Sequence, residues 1–407
     1  MSIFKAADIL LPKNKDMEKW AVIACDQFVS QKEYWEEAAR FVGNAPSALN
    51  LILPEAYLQE DNTAAIAQIN ENMARYLRDD VLESYPNSFL YVERTLQNGA
   101  VRQGIIGMID LEAYDYRPGS ATPIRATEAT VPERIPPRVQ IRKDAPLELP
   151  HVLMLCDDPQ KMLIEAVAEK KDSLPCLYDF PLMAEGGRIQ GYLLQGKAAQ
   201  DFTEKLNAYE EATRARLGEK AVLYAIGDGN HSIASAKACY EALKEKNPQQ
   251  ALNHPARYAL TELENIHPAA QVFEPIHRLI KNTDIDTVLA ALAPYTCQNG
   301  CPVTYLAGDK TGAVYLDCSD GQLPVGILQS FLDVFKKDAP QDVDYIHGEK
   351  DLQALCREEN TVGFLLPAIS KDSFFAGIVA GGTLPRKTFS MGHAREKRYY
   401  LEARKIR

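Results

Sequence analysis

Residues 221–229, AVLYAIGDG, are an apolar run closed by two glycines, and an amphipathic stretch, residues 232–246, follows at once. The run reads as a buried strand, the stretch as a helix with Ile233, Ala236, Tyr240 and Leu243 on one side. Strand and helix joined this tightly pack as layers, and the pattern recurs along the chain, which predicts a mixed α+β fold. Residues 20–30, WAVIACDQFVS, begin as a short buried strand. Ser30 and Glu33 then have the spacing of a capping box ahead of a helix. Further helices are expected over 62–80, 160–170, 197–217, 284–293 and 324–336, and strands over 88–93, 101–111, 151–158, 313–318 and 361–366. Gln97-Asn98-Gly99 supplies the turn between the first two of these strands.

The 407 residues suffice for two domains, and a boundary is expected between about 262 and 282. The expected division is a body over 1–265 and a C-terminal α/β unit over 266–407. With 46% apolar and 25% charged residues the chain belongs with folded, water-soluble proteins rather than disordered or fibrous ones. The 45 basic and 56 acidic side chains leave a net charge of −11, which disfavours nucleic acid as a partner for the whole surface. No run approaches the ~18–20 apolar residues of a bilayer span. MSIFKAADILLPKNKDMEKW has no basic region followed by an apolar one, so a cytoplasmic location is expected, with no membrane partner. Oligomeric state is not legible.

The eight cysteines are scattered, as reduced thiols rather than a disulfide framework. Only Cys297 and Cys301 lie close, as C-x-x-x-C, and without a second pair at ligand spacing a zinc site is not expected. Two segments oppose the acidic balance. Residues 115–150 are rich in proline, which opposes regular structure, and 117–143 carry six Arg or Lys against two Glu. This reads as an ordered, basic functional loop rather than a linker. Residues 386–407 hold eight basic and two acidic side chains, and either contact phosphates or lie across the acidic body.

The junction Tyr224-Ala-Ile-Gly-Asp-Gly-Asn-His-Ser232 concentrates the chemistry. Backbone N–H groups and the positive end of a helix dipole favour an anion there, most often phosphate. Asp228, Asn230, His231 and Ser232 add an acid/base candidate and short hydrogen-bonding groups, while Gly227 and Gly229 permit close approach of a ligand. The plainer reading makes Ser232 an ordinary helix cap and Asp228 a turn residue. It explains neither the His nor both glycines.

This strand–DGNHS–helix unit resembles the Asp-Gly-His-His-Arg motif of a large uncharacterised bacterial and archaeal family. That family is distantly similar to the ParB/sulfiredoxin-like superfamily, which includes the free serine kinases and the ParB nucleotidases. The resemblance extends to GIIGMIDLEAYDY (104–116), Glu128-Ala-Thr130, PIHR (275–278), DYIHG (344–348) and LPRK (384–387). The kinase likeness is confined to 224–240. Asn230 and Ser232 stand where the commoner motif has His and Arg, and Thr127 stands where an upstream His-Glu-x-Thr pattern has His. Arg125, Arg134, Arg138 or Arg142 would then replace the missing charge. The resemblance implies a ParB/sulfiredoxin-like body, with Asp228 as general base and Gly229, His231 and Ser232 on the phosphate. It also implies Mg²⁺ and, as donor or ligand, ATP or ADP.

The expected function is phosphoryl transfer on a small hydroxylated metabolite, as a serine kinase or a phosphoserine phosphatase. The alternative is a nucleotide- or phosphate-binding regulatory protein of ParB-like type without turnover. A third reading, a sulfiredoxin-like redox protein, would need a reactive Cys beside the motif, and Cys239 lies seven positions into the helix. Catalytic roles are expected for Asp228 and His231. Phosphate or nucleotide contacts are expected from Gly227, Gly229, Asn230, Ser232, Arg125, Glu128, Thr130, Arg138, His277 and Arg278. The predicted site is a cleft walled by 125–142, 227–232 and 277–278. Cys25, at a strand end, lacks the neighbouring His that a nucleophile needs. Asp157-Asp158 read as a turn, and His254 and His267 as structural.

Overall fold

The computed structural model describes residues 2–13, 15–117, 119–128, 130–218, 220–319, 322–335, 342–381, 383–385 and 387–407. Ala129 of the Thr127–Thr130 pattern and Arg386 of the basic tail lie outside them. Two compact units form: Met1–Ala126 with Thr130–Gln271 and His393–Arg407, and Val272–Gly392 with Thr127–Ala129. The stretch expected as one C-terminal unit is thus divided, because its last fifteen residues return to the first unit.

The first unit is built on a mixed sheet of eleven strands. From edge to edge it runs Cys176–Pro181, Arg188–Leu194, Leu82–Thr95, Val101–Asp110, Tyr258–Asn265, Leu153–Cys156, Tyr224–Asp228, Ile124–Ala126 and Tyr114–Asp115. Phe4–Lys5 and Ala7–Pro12 pair beside it. Both faces are covered, so its strands read as apolar runs rather than alternating ones. Along Phe89-Leu90-Tyr91-Val92 the first and third side chains enter one core with Phe202, Leu206, Ile226 and Tyr240. The second and fourth enter the other with Trp20, Trp35, Ile106 and Tyr399. Asn98 and Gly99 close the expected hairpin, with Leu96 donating to the Ala100 carbonyl at 2.8 Å.

Two local expectations change. The helix after the first strand spans Lys32–Val42 and is entered through Gln31 without a side-chain cap, so the Ser30–Glu33 box does not form. The proline-rich segment is not an irregular loop: it contains the strand Ile124–Ala126, a short turn of 3₁₀ helix and the α-helix Ile135–Arg142. Pro136 and Pro137 fall in that helix's first turn, where a missing N–H costs nothing and a fixed φ is already helical.

Of the two readings of the basic tail, the structure favours the one that lays it across the acidic body. Tyr399–Tyr400 pair with Val22–Ile23, and Arg404–Lys405 with Leu147–Glu148. Arg398 bridges Glu262 at 2.8 Å and Glu402 at 2.5 Å, and Arg404 meets Glu148 at 2.7 Å, all buried. Beside this network Glu264 is hydrogen-bonded to Gln271. Burial, then the neighbouring Glu262, pushes its carboxyl up from 4.5 to about 7. A folded-state pKa above the unfolded one means the native chain keeps a proton that the unfolded chain loses. Stability from this group therefore falls as pH rises from 4.5 to about 7. Glu264→Gln is expected to flatten that fall, read as urea midpoints on either side of the window; an unchanged slope would assign the proton elsewhere.

The second unit holds a sheet in the order Lys310–Leu316, Thr296–Ala307, Thr361–Leu365, Glu274–Lys281 and Asp342–His347, with Phe389–Ser390 also on Glu274–Lys281. Helices Ile285–Leu292 and Pro324–Phe335 cover one face through Val288, Leu292, Leu328 and Phe331. Leu352 and Cys356 pack on Leu279 and Leu306 on the other. Among the described residues no helix is long and apolar enough to cross a membrane.

Candidate functional site

The junction sits in the first unit, where Tyr224–Asp228 ends between Leu153–Cys156 and Ile124–Ala126. A register shift between Ile226 and Asp228 turns the strand end out of the ladder. Gly229 follows at φ 78°, in the left-handed region, and the helix Asn230–Lys246 starts directly after it. A Cβ at Gly229 would lie 3.0 Å from the Val152 Cα, so both backbone angle and space demand glycine. Gly229→Ala is expected to cost about 1–3 kcal/mol, measured by urea denaturation; a cost near zero would mean that the turn relaxes freely.

Asp228 Oδ1 accepts the Gly229 N–H at 2.8 Å, and Oδ2 accepts Lys397 Nζ at 3.0 Å. Burial favours the neutral acid, but the Lys397 charge, His151 and the Gly229 N–H together hold the carboxyl below its usual range. It is a carboxylate at neutral pH. His231 Nε2 accepts the Val131 N–H at 3.3 Å, which leaves its proton on Nδ1. Burial, with Arg138 and Arg134 nearby, pushes its pKa down to about 4. At neutral pH His231 is thus an uncharged donor and supplies no positive charge for a phosphate.

Ser232 and Ser235 line a cavity of about 130 Å³ with Arg138, His151, Cys25 and Tyr400, closed by apolar side chains that include Leu51, Met73 and Ile141. Tyr400 links two of these residues: its hydroxyl meets His151 Nδ1 at 2.7 Å and donates to Cys25 Sγ at 3.0 Å. Burial, then Asp26, pushes the Cys25 thiol up to about 12, so the neighbouring His, reached through Tyr400, does not make it a nucleophile. Arg138 is ion-paired with Glu55. Asp26 lies 3.7 Å from His151 Nε2.

Of the residues expected from the sequence, the structure brings Gly227, Asp228, Gly229, Asn230, His231 and Ser232 into one turn, with Arg134 and Arg138 near enough to His231 to shift its titration. Thr130 adjoins Val131, and its buried hydroxyl has no hydrogen-bond partner among the described residues. Others are placed differently. Arg125 donates to the backbone carbonyls of Thr122 and Lys220, before Tyr224–Asp228 rather than at its Asp228 end. Arg142 is held by Glu148. Glu128 belongs to the second unit, bridged to Leu384. So do His277, which accepts the Leu366 N–H at 3.2 Å, and Arg278, fully buried against Gln329 and backbone carbonyls. Asp157 meets His267 at 2.7 Å, and Asp158 accepts the Leu163 N–H, as a structural turn.

Lys397, His151, Tyr400 and Glu55 were not legible as site residues. Lys397 stands 169 positions from Asp228 in a tail that shows only a charge count. The positioning of Lys397 is itself built: Arg94, buried, donates to the carbonyls of Arg395, Glu396 and Lys397. Among the described residues no group of three or more His, Cys, Asp or Glu is placed to hold a metal ion. Asp228, expected as the general base, is ion-paired with Lys397. Among the described residues the expected Mg²⁺ therefore has no cage of protein side chains.

No curated protein matches the sequence at a significant level. Among solved structures, a conserved hypothetical protein from Pyrococcus furiosus is similar over 72% of this chain and 90% of its own, at 12% identity and TM-score 0.34. SbnI from Staphylococcus aureus, truncated at its C-terminus, is similar over 70% and 83%, at 11% and 0.37. A free serine kinase in complex with AMP is similar over 74% and 90%, at 11% and 0.37. TM-scores this low do not establish a shared fold, and none of the three bears on the chemistry of the Asp228 junction. The model of the family described as protein of unknown function (DUF1015) matches residues 6–405, almost the whole chain, and the protein belongs to that family.

Proposed function

We propose that the protein transfers a phosphoryl group to or from a small hydroxylated metabolite, serine or phosphoserine first among them, at the Asp228 junction. The observation that carries the reading is the convergence of an ionised carboxylate, a lysine and the first turn of a long helix beside a cavity lined by Ser232. Phosphoryl transfer asks for positioning and for neutralisation of charge spread over equatorial oxygens, more than for covalent help. The first-turn N–H groups, which lack intrahelical acceptors, meet the phosphate. His231 donates through Nδ1, and the buried Thr130 hydroxyl adds a group in need of a partner. Asp228 accepts the substrate hydroxyl's proton as the new O–P bond forms and the donor's O–P bond breaks. In the hydrolytic direction the nucleophile is water. A nucleoside tri- or diphosphate is the donor for the kinase reaction, and a ParB/sulfiredoxin-like body is part of the same proposal.

One observation favours the second reading, a phosphate- or nucleotide-binding regulator without turnover. The lysine that holds Asp228 ionised also makes it a weak base. Phosphorus NMR with Mg²⁺ separates the two. One tube holds serine with ATP and ADP, the other phosphoserine alone. Phosphoserine appearing in the first establishes a kinase, and inorganic phosphate growing in the second a phosphatase. Silence in both, from folded protein that ADP or phosphate still stabilises thermally, would overturn turnover and leave the binding reading.

A further inference from the structure

The cavity beside the junction holds a charged group that the junction does not use. Among its lining residues, Cys25, Tyr400 and His151 are linked to one another, and Ser235 gives its hydroxyl to the His231 carbonyl at 2.7 Å. Arg138 is neutralised by Glu55. Arg142 is different. It lines the same cavity and meets Glu148 at 2.5 Å, but Glu148 also meets Arg404 at 2.7 Å. Glu148 and Arg404 are buried, and among the described residues Glu148 is the only carboxylate ion-paired with either arginine.

Two guanidinium groups on one carboxylate leave a net positive charge where little water screens it. Arg142 gives only Nη2 to Glu148, so among the described residues its Nε and Nη1 have no acceptor. The remaining lining is largely apolar and includes Leu51, Met73, Ile141, Ala145 and Leu147. An apolar cavity of about 150 Å³ accepts benzene, so one of about 130 Å³ accommodates a body of roughly four to six carbons. Serine and phosphoserine carry a single side-chain carbon and leave these walls unfilled.

We propose that this cavity is a binding site for a small monocarboxylate with a branched or cyclic apolar body. The carboxylate accepts from the two unused nitrogens of Arg142 and balances the charge that Glu148 leaves over. The body displaces water from the walls formed by Leu51, Met73 and Ile141. The ligand needs neither Asp228 nor a phosphate. The site therefore stands apart from the phosphoryl-transfer reading, although Ser232 borders both.

The test titrates the full-length protein with 3-methylbutanoate, followed by saturation-transfer NMR at neutral pH. Two matched probes separate its parts: 3-methylbutan-1-ol lacks the charge, and acetate lacks the body. The alcohol is expected to bind about 10-fold more weakly, for want of a charge-assisted hydrogen bond. Acetate is expected to bind about 50-fold more weakly, having three fewer carbons to bury. Ile141→Trp, which fills the cavity, is expected to abolish binding of acid and alcohol alike. Arg142→Met is expected to bring the acid down to the affinity of the alcohol, with Glu148 still held by Arg404. If either variant fails to fold, the three-probe comparison on the unaltered protein decides. Equal affinity for acetate and 3-methylbutanoate, or no binding of the branched acid, would overturn the proposal. A protein silent toward serine and phosphoserine would leave each of these outcomes unchanged.

Discussion

Asp228→Asn is expected to lower turnover in the phosphorus NMR assay by about 10²–10⁴-fold, the usual contribution of a positioned proton acceptor. The isosteric amide keeps an acceptor for the Gly229 N–H, so the turn and the fold survive. Binding of the phosphate ligand is expected to persist, followed by calorimetry with phosphoserine or ADP. Loss of folding and binding together would instead make Asp228 a turn residue. The pH dependence has a definite sign. Because Lys397 and the Gly229 N–H depress the carboxyl, its ionised form is retained in acid and lost only as pH falls through the lowered pKa. Lys397→Met removes the main opposing charge and is expected to move the acid limb of kcat/KM to higher pH. An acid limb that does not move would place the rate-controlling proton on another group.

Arg398→Met is expected to be the most destabilising single change in the first unit, by about 3–5 kcal/mol, because it strands Glu262 and Glu402 as buried, unpaired carboxylates. Glu262 is raised by burial even with the arginine present, so loss of the arginine drives that carboxyl further toward the neutral acid. The variant's deficit is therefore expected to shrink in acid and widen toward alkaline pH, read from urea midpoints across that range. A deficit independent of pH would point to lost packing instead. Since residue 397 is the neighbour of 398, the same change is expected to loosen the lysine on Asp228. A fall in kcat beyond the unfolded fraction would report that link.

How much was legible depended on whether the signal was local. The strand Tyr224–Asp228, the glycine turn and the helix Asn230–Lys246 were readable because apolar periodicity and φ-permissive glycines act within a few residues. The helix Lys197–Leu217 was readable for the same reason. The segment 115–150 misled because proline content was weighed without position: in a helix's first turn proline is harmless, while in its interior it is not. Arg278 in Pro275-Ile-His277-Arg278 looked like a phosphate ligand, yet burial gave its guanidinium to Gln329 and backbone carbonyls. Nothing in a linear string distinguishes an arginine that meets a ligand from one that holds a core.

By itself the sequence determined the mixed class of the fold, the turn at Gly229 and the presence of Asp228, His231 and Ser232 in one loop. These follow from local backbone geometry and hydrophobic spacing. Only the tertiary structure decided the partners of those side chains. Lys397 reaches Asp228, and Tyr400 reaches His151 and Cys25, because the tail returns to the first unit and pairs beside Val22–Ile23. That return is stabilised by buried ion pairs between residues far apart in the chain. Such pairs exist only once burial has removed the water that would otherwise screen them.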